Sequence, residues 1–358
     1  MPTEREQQIL DLIRQNPLIS QKELAELLGM TRAGLASHIS RLIKKGLIVG
    51  KGYILPPNEH ITVIGAVNMD IAGTLQSSEL IPKGSNSGAI NNQLGGVGRN
   101  VAANLAALGV ATNLITVYGS DQNGEQFAED AIRRGIDISS AQQLPNQATA
   151  MYMYINYQNG ERFVGLDDMT INQAITPEFL EARLPLINGS KQVIIDSNLA
   201  PETIRWIYGH VTVPIIAKAV SVTKSQHLLQ DNVNLASLVV NGVEGTIFTS
   251  EKMTTLAEAK QGADSLYKMF HCSIYLYVDN IGIVQRTVDG TNCYQYQSDT
   301  EVVNTNGLGA AIAAGLAYAT LNHKSTTATL TLVSQLAELT METAENVNTK
   351  VTAQTVDQ

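Results

Sequence analysis

The chain has 358 residues, 44% hydrophobic and 16% charged, with a net charge of −9 and two cysteines, Cys272 and Cys293. Those proportions describe a globular protein with room for one large domain and one small one. Two widely spaced cysteines argue against a disulfide framework or a zinc site, and no apolar run nears the roughly 20 residues of a membrane span. The opening MPTEREQQIL is polar and lacks a secretory pattern, so the expected setting is cytoplasmic, with no membrane partner.

Charge is unevenly placed. The first 55 residues hold eight Lys and Arg against five Asp and Glu, a balance of +3, which leaves −12 for the remainder. This predicts a nucleic-acid-facing head on an acidic body. Ile9, Leu10, Leu12 and Ile13 give a first helix its apolar face, and Pro17 ends it. Ser20 caps a second helix, with Glu23 completing a capping box and Gly29 as the stop. Thr31 caps a third, with Leu35, Ile39 and Leu42 inward and Gly46 at its end; LIVGKGYIL then reads as two short strands around Gly50-Lys51-Gly52. Three helices and a hairpin over residues 1–56 resemble a winged helix-turn-helix. That resemblance implies that Thr31, Arg32, Ser37, His38 and Arg41 face a groove of double-stranded DNA. Lys44, Lys45 and Lys51 would lie near phosphates, positioning rather than specifying. Because half-sites mirror a two-fold protein, a homodimer is expected. The competing reading is a helical cap that only packs on the body.

Pro56-Pro57-Asn58 reads as a stiff linker to a second unit over 60–350, with 351–358 as a tail. HITVIGAVNMDIAG is a buried strand ending in polar residues, which places Asn68 and Asp70 at the carboxyl end of a sheet, where open α/β folds hold ligands. Asn86 precedes Gly95, Gly96, Gly98 and Asn100 in LGGVGRN, and this glycine turn opens an Ala/Leu helix. TAMYMYINYQNGERFVG is a hairpin with Asn159-Gly160 at its turn, followed by Asp168-Met169. QVIIDSN and SLVVNGVEG continue the strand–helix alternation and end in Asn198 and in Asn241 and Glu244. Finally, VNTNGLGAAIAAGLAY runs from a glycine turn into a small-residue helix. The backbone N–H groups of Gly307, Leu308 and Gly309 there make an anion pocket at the positive end of the helix.

The last stretch resembles the D-T-x-G-A-G-D signature of the ribokinase/PfkB family of sugar and nucleoside kinases, and GGVGRN with SNSG is similar to the pseudouridine-kinase branch. The resemblance implies a ribokinase-like α/β/α sandwich with a small β-lid, preceded by the winged helix-turn-helix. It implies substrate contacts from Asn68, Asp70, Asn86, Gly95, Gly96, Gly98, Asn100 and Asp168. Asn198, Asn241, Glu244 and Gly282 would lie on the nucleotide side, with Glu244 ordering Mg²⁺ through water. The cofactors implied are ATP and Mg²⁺ if the protein is active, and none otherwise.

The departures cluster at the reacting centre. Ala310 stands where the family has its catalytic Asp, and a methyl group accepts no proton. Asn304 and Leu308 replace the first Asp and the Ala of the signature, Lys218-Ala219 an Asp-Pro pair, and Asp279-Asn280-Ile281 a Thr-Leu-Gly turn beside the nucleotide. Asp168 is a remote candidate to stand in for the base. The expectation is a sugar- or nucleoside-sensing transcription regulator with weak or absent phosphotransfer; the alternative is an active pseudouridine or sugar kinase with an autoregulatory head.

Overall fold

A computed structural model describes residues 2–16, 19–49, 59–77, 81–158, 162–297 and 302–356. The head is built from α1 (Glu4–Gln15), α2 (Gln21–Leu27) and α3 (Arg32–Lys44). Thr3 and Ser20 cap the first two helices in reciprocal boxes with Glu6 and Glu23, and the Thr31 hydroxyl accepts from Gly34 N–H to cap the third. Ile9, Leu10, Ile13, Leu24, Leu35, Ile39 and Leu42 interlock as one core. The expected wing, with Lys51, and the Pro56-Pro57-Asn58 linker lie outside the described residues.

One ion pair network ties the head together. The fully buried Glu6 carboxylate accepts from Arg41 Nε at 3.3 Å and Lys45 Nζ at 2.7 Å, joining the start of α1 to the end of α3. Arg41 also reaches the Ser37 hydroxyl and His38 Nδ1. Two of the basic residues expected to face DNA are therefore engaged within the head, while Arg32 and Lys44 are exposed.

The body follows in chain order: β1 (His60–Ile64), β2 (Asn68–Leu75), β3 (Gly88–Gly95), α4 (Val97–Ala107), β4 (Ala111–Ile115), β5 (Val117–Gly119), α5 (Gln122–Arg134), β6 (Gln142–Leu144), β7 (Met151–Asn156) and β8 (Arg162–Asp168). Then come α6 (Pro177–Glu181), α7 (Leu184–Gly189), β9 (Gln192–Asp196), α8 (Pro201–His210), β10 (Ile215–Lys218), α9 (Val222–Ser225), β11 (Ser237–Asn241), α10 (Gly242–Thr249) and α11 (Leu256–Phe270). The chain closes with β12 (Ser273–Val278), β13 (Gly282–Thr287), β14 (Gly290–Gln295), α12 (Leu308–Leu321), α13 (Thr326–Met341) and α14 (Ala353–Val356).

Eight strands form the main sheet in the order β14-β13-β12-β11-β10-β9-β1-β4, with every pairing parallel except β12–β13 and β13–β14. Both faces are covered, as the continuous apolar strands require. Ile194, Ile216, Val239 and Tyr275 point to the α4/α12/α13 side, while Ile195, Ala217, Val240 and Leu276 point to the α8/α11 side. Val351 and Val356, in the segment read as a tail, pack into the first of these cores. The lid is a separate sheet, β3-β2-β7-β8. Strand β1 stops at Ile64, so Asn68 and Asp70 belong to the first residues of a lid strand rather than to the end of a main-sheet strand. Strand β3 is the polar run GAINNQLG, which carries no alternating signal of its own. The hairpin read from the sequence is β7–β8; its Asn159-Gly160 turn is outside the described residues.

The Glu6 network gives a pH test. Its partners, Lys45 first, hold the carboxyl down at about 2 from an ordinary 4.5. A depressed carboxyl stabilises the fold above its unfolded pKa, and that contribution fades as pH falls from about 4.5 toward 2. Hydrogen exchange, corrected for intrinsic rates, should show α1 and α3 losing protection across that window. Glu6→Gln should lower protection at neutral pH and flatten the dependence.

Candidate functional site

The lid, the carboxyl ends of β10–β12 and the start of α12 enclose a cavity of about 450 Å³. Its two halves differ in character.

The first half presents a carboxylate and amides fixed in orientation by their neighbours. Asp70 accepts from Asn68 Nδ2 at 2.6 Å and from Asn346 Nδ2 at 2.8 Å, so both carboxylate oxygens are oriented by amides. Asn100 lies opposite, and its Oδ1 accepts from Arg99 Nη1 at 3.0 Å. Arg99 is buried and held by Asp130, so an ion pair behind the wall turns the Asn100 amide to offer its NH₂ to the cavity. Gly96 sits at φ +94°, and a Cβ there would strike Ala66. Behind this turn the buried Asp196 accepts from the N–H groups of Ala66 at 3.0 Å and Gly98 at 2.9 Å. Burial pushes its carboxyl above the ordinary range despite those bonds.

The second half contains the glycine turn. Gly307 adopts φ +92° and caps α12 with no side-chain partner, leaving first-turn N–H groups directed at the cavity. Gly309 and Ala310 continue the wall. Against Gly309 lies Lys218, whose Cε a Cβ at that position would strike. The Lys218 ammonium is buried, donates to the Ala219 carbonyl, and meets Glu244 Oε2 at 3.0 Å and Oε1 at 3.3 Å. Glu244 also accepts from the backbone N–H of Asn241 at 2.9 Å and of Ser221 at 3.2 Å. Asp279 is open to the cavity by surface area but hemmed in by protein; that desolvation first, then the Glu244 charge, raises its carboxyl above the usual range.

The expected residues are thus sorted by the structure. Asn68, Asp70, Gly96, Asn100, Asn198, Asn241, Glu244, Gly307, Gly309 and Ala310 line the cavity. Gly95 and Gly98 support it from behind, where a Cβ would hit Asp70 and Gly65 respectively, and the Leu308 side chain is buried in the core. Asn86 is a correction: it sits in an exposed loop, bonding Ile81 and Gly84. Asp168 is another. In the β7–β8 register it pairs with Met151, whereas Asp167 pairs with Tyr152, so strand alternation sends Asp167 to the cavity and Asp168 to the opposite face. That also removes Asp168 as a substitute base. Gly282 belongs to the β12–β13–β14 ladder and packs on Tyr294.

Other lining residues had no local signal. Asn346 reaches Asp70 across 276 positions of sequence. Tyr152 and Tyr154, ring centroids 5.5 Å apart, come from the lid, and the Tyr154 hydroxyl accepts from Asn306 Nδ2 at 3.2 Å. A further tie between lid and body is Asp167 to Lys224 Nζ at 2.7 Å.

A doubly wound sheet with a hydroxyl-reading lid over a glycine turn defines the scaffold of a small-molecule kinase. Residues 58–352 match the pfkB family carbohydrate kinase model, and residues 3–49 match a winged helix-turn-helix DNA-binding model. The chain belongs to the pfkB carbohydrate kinase family and carries a winged helix-turn-helix at its N-terminus. It is 30% identical over 318 residues to the uncharacterized sugar kinase YeiI of Escherichia coli (strain K12), covering 88% of each. To the pseudouridine kinase of the same organism it is 29% identical over 261 residues, 72% of this chain and 83% of that one. Arabidopsis thaliana ribokinase complexed with ribose and ATP shares the fold, with a TM-score of 0.72 at 19% identity over 84% and 98% of the two chains.

The contact of Lys218 with Gly309 can be tested by a double-mutant cycle. Gly309→Ala should cost about 1–3 kcal/mol by overpacking, roughly 2–10 °C in Tm for a domain of this size. In a Lys218→Ala background part of that cost should vanish, leaving the share set by the Tyr277 hydroxyl, which a Cβ at Gly309 would meet at 2.7 Å; fully additive losses would place the lysine elsewhere.

Proposed function

We propose that the protein is a DNA-binding regulator whose kinase-fold body senses a sugar or nucleoside and transfers phosphate slowly or not at all. The observation that carries this reading is the Ala310 methyl on the cavity wall, at the place of the family's general base. Three of the four carboxylates that line the cavity are engaged elsewhere. Asp70 is held by two amides, Asp167 by Lys224, and Glu244 by Lys218 and two backbone N–H groups. Asp279 remains, on the side of Glu244 rather than of Asp70. Asn68, Asp70, Gly96 and Asn100 meanwhile line the cavity together, which supports a site kept for binding.

The Mg²⁺ that the family implies does not fit the residues present, because the Glu244 carboxylate is already bonded to an ammonium group. Ligand would act by favouring one lid position: the Asp167–Lys224 and Tyr154–Asn306 ties join lid to body, and a ligand that binds closed better than open shifts that equilibrium. The winged helix-turn-helix supports double-stranded DNA as partner, read as a dimer. A second reading, an active nucleoside or sugar kinase with an autoregulatory head, is favoured by the kinase names of the relatives.

Incubation with ATP, Mg²⁺ and a panel of nucleosides and pentoses separates the two. A general base contributes about 10²–10⁴-fold, and a typical enzyme turns over at about 10 s⁻¹, so turnover should fall below about 0.1 s⁻¹. Rates in the ordinary range would overturn the regulator reading. Ala310→Asp should raise any residual transfer. For the head, Arg32→Ala and Lys44→Ala should weaken DNA binding in mobility shifts and reduce its salt dependence, each removing up to one phosphate contact.

A further inference from the structure

The head and the body meet at a pair of glycines. Gly46 closes α3 at φ +69°, and its N–H donates to the Ile43 carbonyl at 2.9 Å. It is buried, and a Cβ there would strike the Pro185 carbonyl of α7. The approach is mutual. A Cβ on Gly189, the last residue of α7, would meet the Gly46 carbonyl oxygen at 2.9 Å and its carbon at 3.2 Å. Two main chains come this close only where neither carries a side chain.

The two glycines have different explanations. Gly46 needs its left-handed backbone as the stop of α3, so its own helix accounts for it. Gly189 is not in the left-handed region, and glycine is a poorer helix former than alanine. The atoms nearest to a Cβ at Gly189 all belong to Gly46, so it is the head that leaves no room there.

Helix α7 itself is firmly part of the body. Leu186 and Ile187 are buried, and Arg183 Nε at its start donates to the Ser140 carbonyl at 2.7 Å. The Asn188 side chain donates to the His210 carbonyl at 3.1 Å and accepts from Thr212 N–H at 2.9 Å. The far side of the connection between the two units returns to the same place, because Glu59 pairs with Lys191, just past Gly189, at 3.3 Å. Arg32 and Lys44 stay exposed in this arrangement.

We propose that α7 is a docking surface for the chain's own DNA-binding head, held through the Gly46–Gly189 contact with Arg32 and Lys44 left open to DNA. This rests on the regulator reading and adds how the body holds the head. A head hung on a free linker would not feel the body, whereas a docked one moves with α7. Packing on the body and binding DNA are then compatible roles for one unit. The contact is small, and units joined by small contacts move easily, so a single methyl group is enough to undo it.

The test uses the full-length protein with one nitroxide on the exposed Cys293 and another at Ser40→Cys, an exposed site of α3; Cys272 is buried. Labelled chains are diluted with unlabelled ones, so that only distances within one chain are read. Double electron–electron resonance should give one narrow distance distribution. A broad distribution at this stage overturns the proposal, a result that needs no change at the glycines. Adding Gly189→Ala should broaden the distribution roughly twofold or more, while Tm stays level or rises because alanine suits a helix better. An unchanged narrow distribution in that variant overturns the proposal. A short DNA duplex of mixed sequence, added at low salt to the chain with Gly189 intact, should leave the distance in place. A shift to a new distance means that the docked head is not the one that binds DNA, and overturns the proposal. Should the duplex fail to bind in a mobility shift, the regulator reading falls; the first two measurements still decide whether α7 holds the head.

Discussion

One buried ion pair, Lys218 with Glu244, holds the glycine-turn side of the cavity together. An ammonium and a carboxylate removed from water are costly unless each is fully bonded, and removing one partner of such a pair costs several kcal/mol because the other is left charged in a poor solvent. Lys218 and Glu244 meet that condition, with two backbone N–H groups and one carbonyl completing the shell. Because Glu244 is also the capping-box residue of α10, the pair is part of the fold as well as of the cavity. Lys218 leans on Gly309, so the same contact fixes the back of the glycine turn. On the regulator reading, this pair stands where a divalent ion would otherwise be held.

The other half of the cavity has the opposite logic. Its groups are oriented but not consumed: the Asp130–Arg99–Asn100 chain fixes which end of an amide faces the ligand, and Asn68 and Asn346 fix the Asp70 carboxylate between them. Polar groups arranged in advance lose little freedom when a ligand arrives, which favours binding. The lid that carries Asp70 and Tyr154 touches the body through single bonds rather than a broad apolar seam at those points, a connection whose balance a ligand can tip.

Much of this was legible in the sequence, for physical reasons. Continuous apolar runs gave the buried parallel strands, and the capping box at Ser20 marked a helix start because few residue types complete it. Gly96 and Gly307 were readable because backbones with positive φ and close neighbours leave little choice of residue. What escaped depended on register or on distance. Asp167 and Asp168 are neighbours in sequence and opposites in space, and only the pairing with β7 decides between them. Asn346 acts on Asp70 from an irregular segment, where no periodicity announces a role. Lys218 was visible as a departure from the family pattern, but its partner was not, and the partner is what gives it meaning.

The regulator reading proposes that this kinase scaffold has given up the metal-bound nucleotide. Calorimetric titration of the full-length protein with a non-hydrolysable ATP analogue and Mg²⁺, with the stabilising nucleoside or sugar present, tests it most directly. The account predicts no saturable binding up to millimolar concentration. A single site with a micromolar Kd that disappears in EDTA would contradict it.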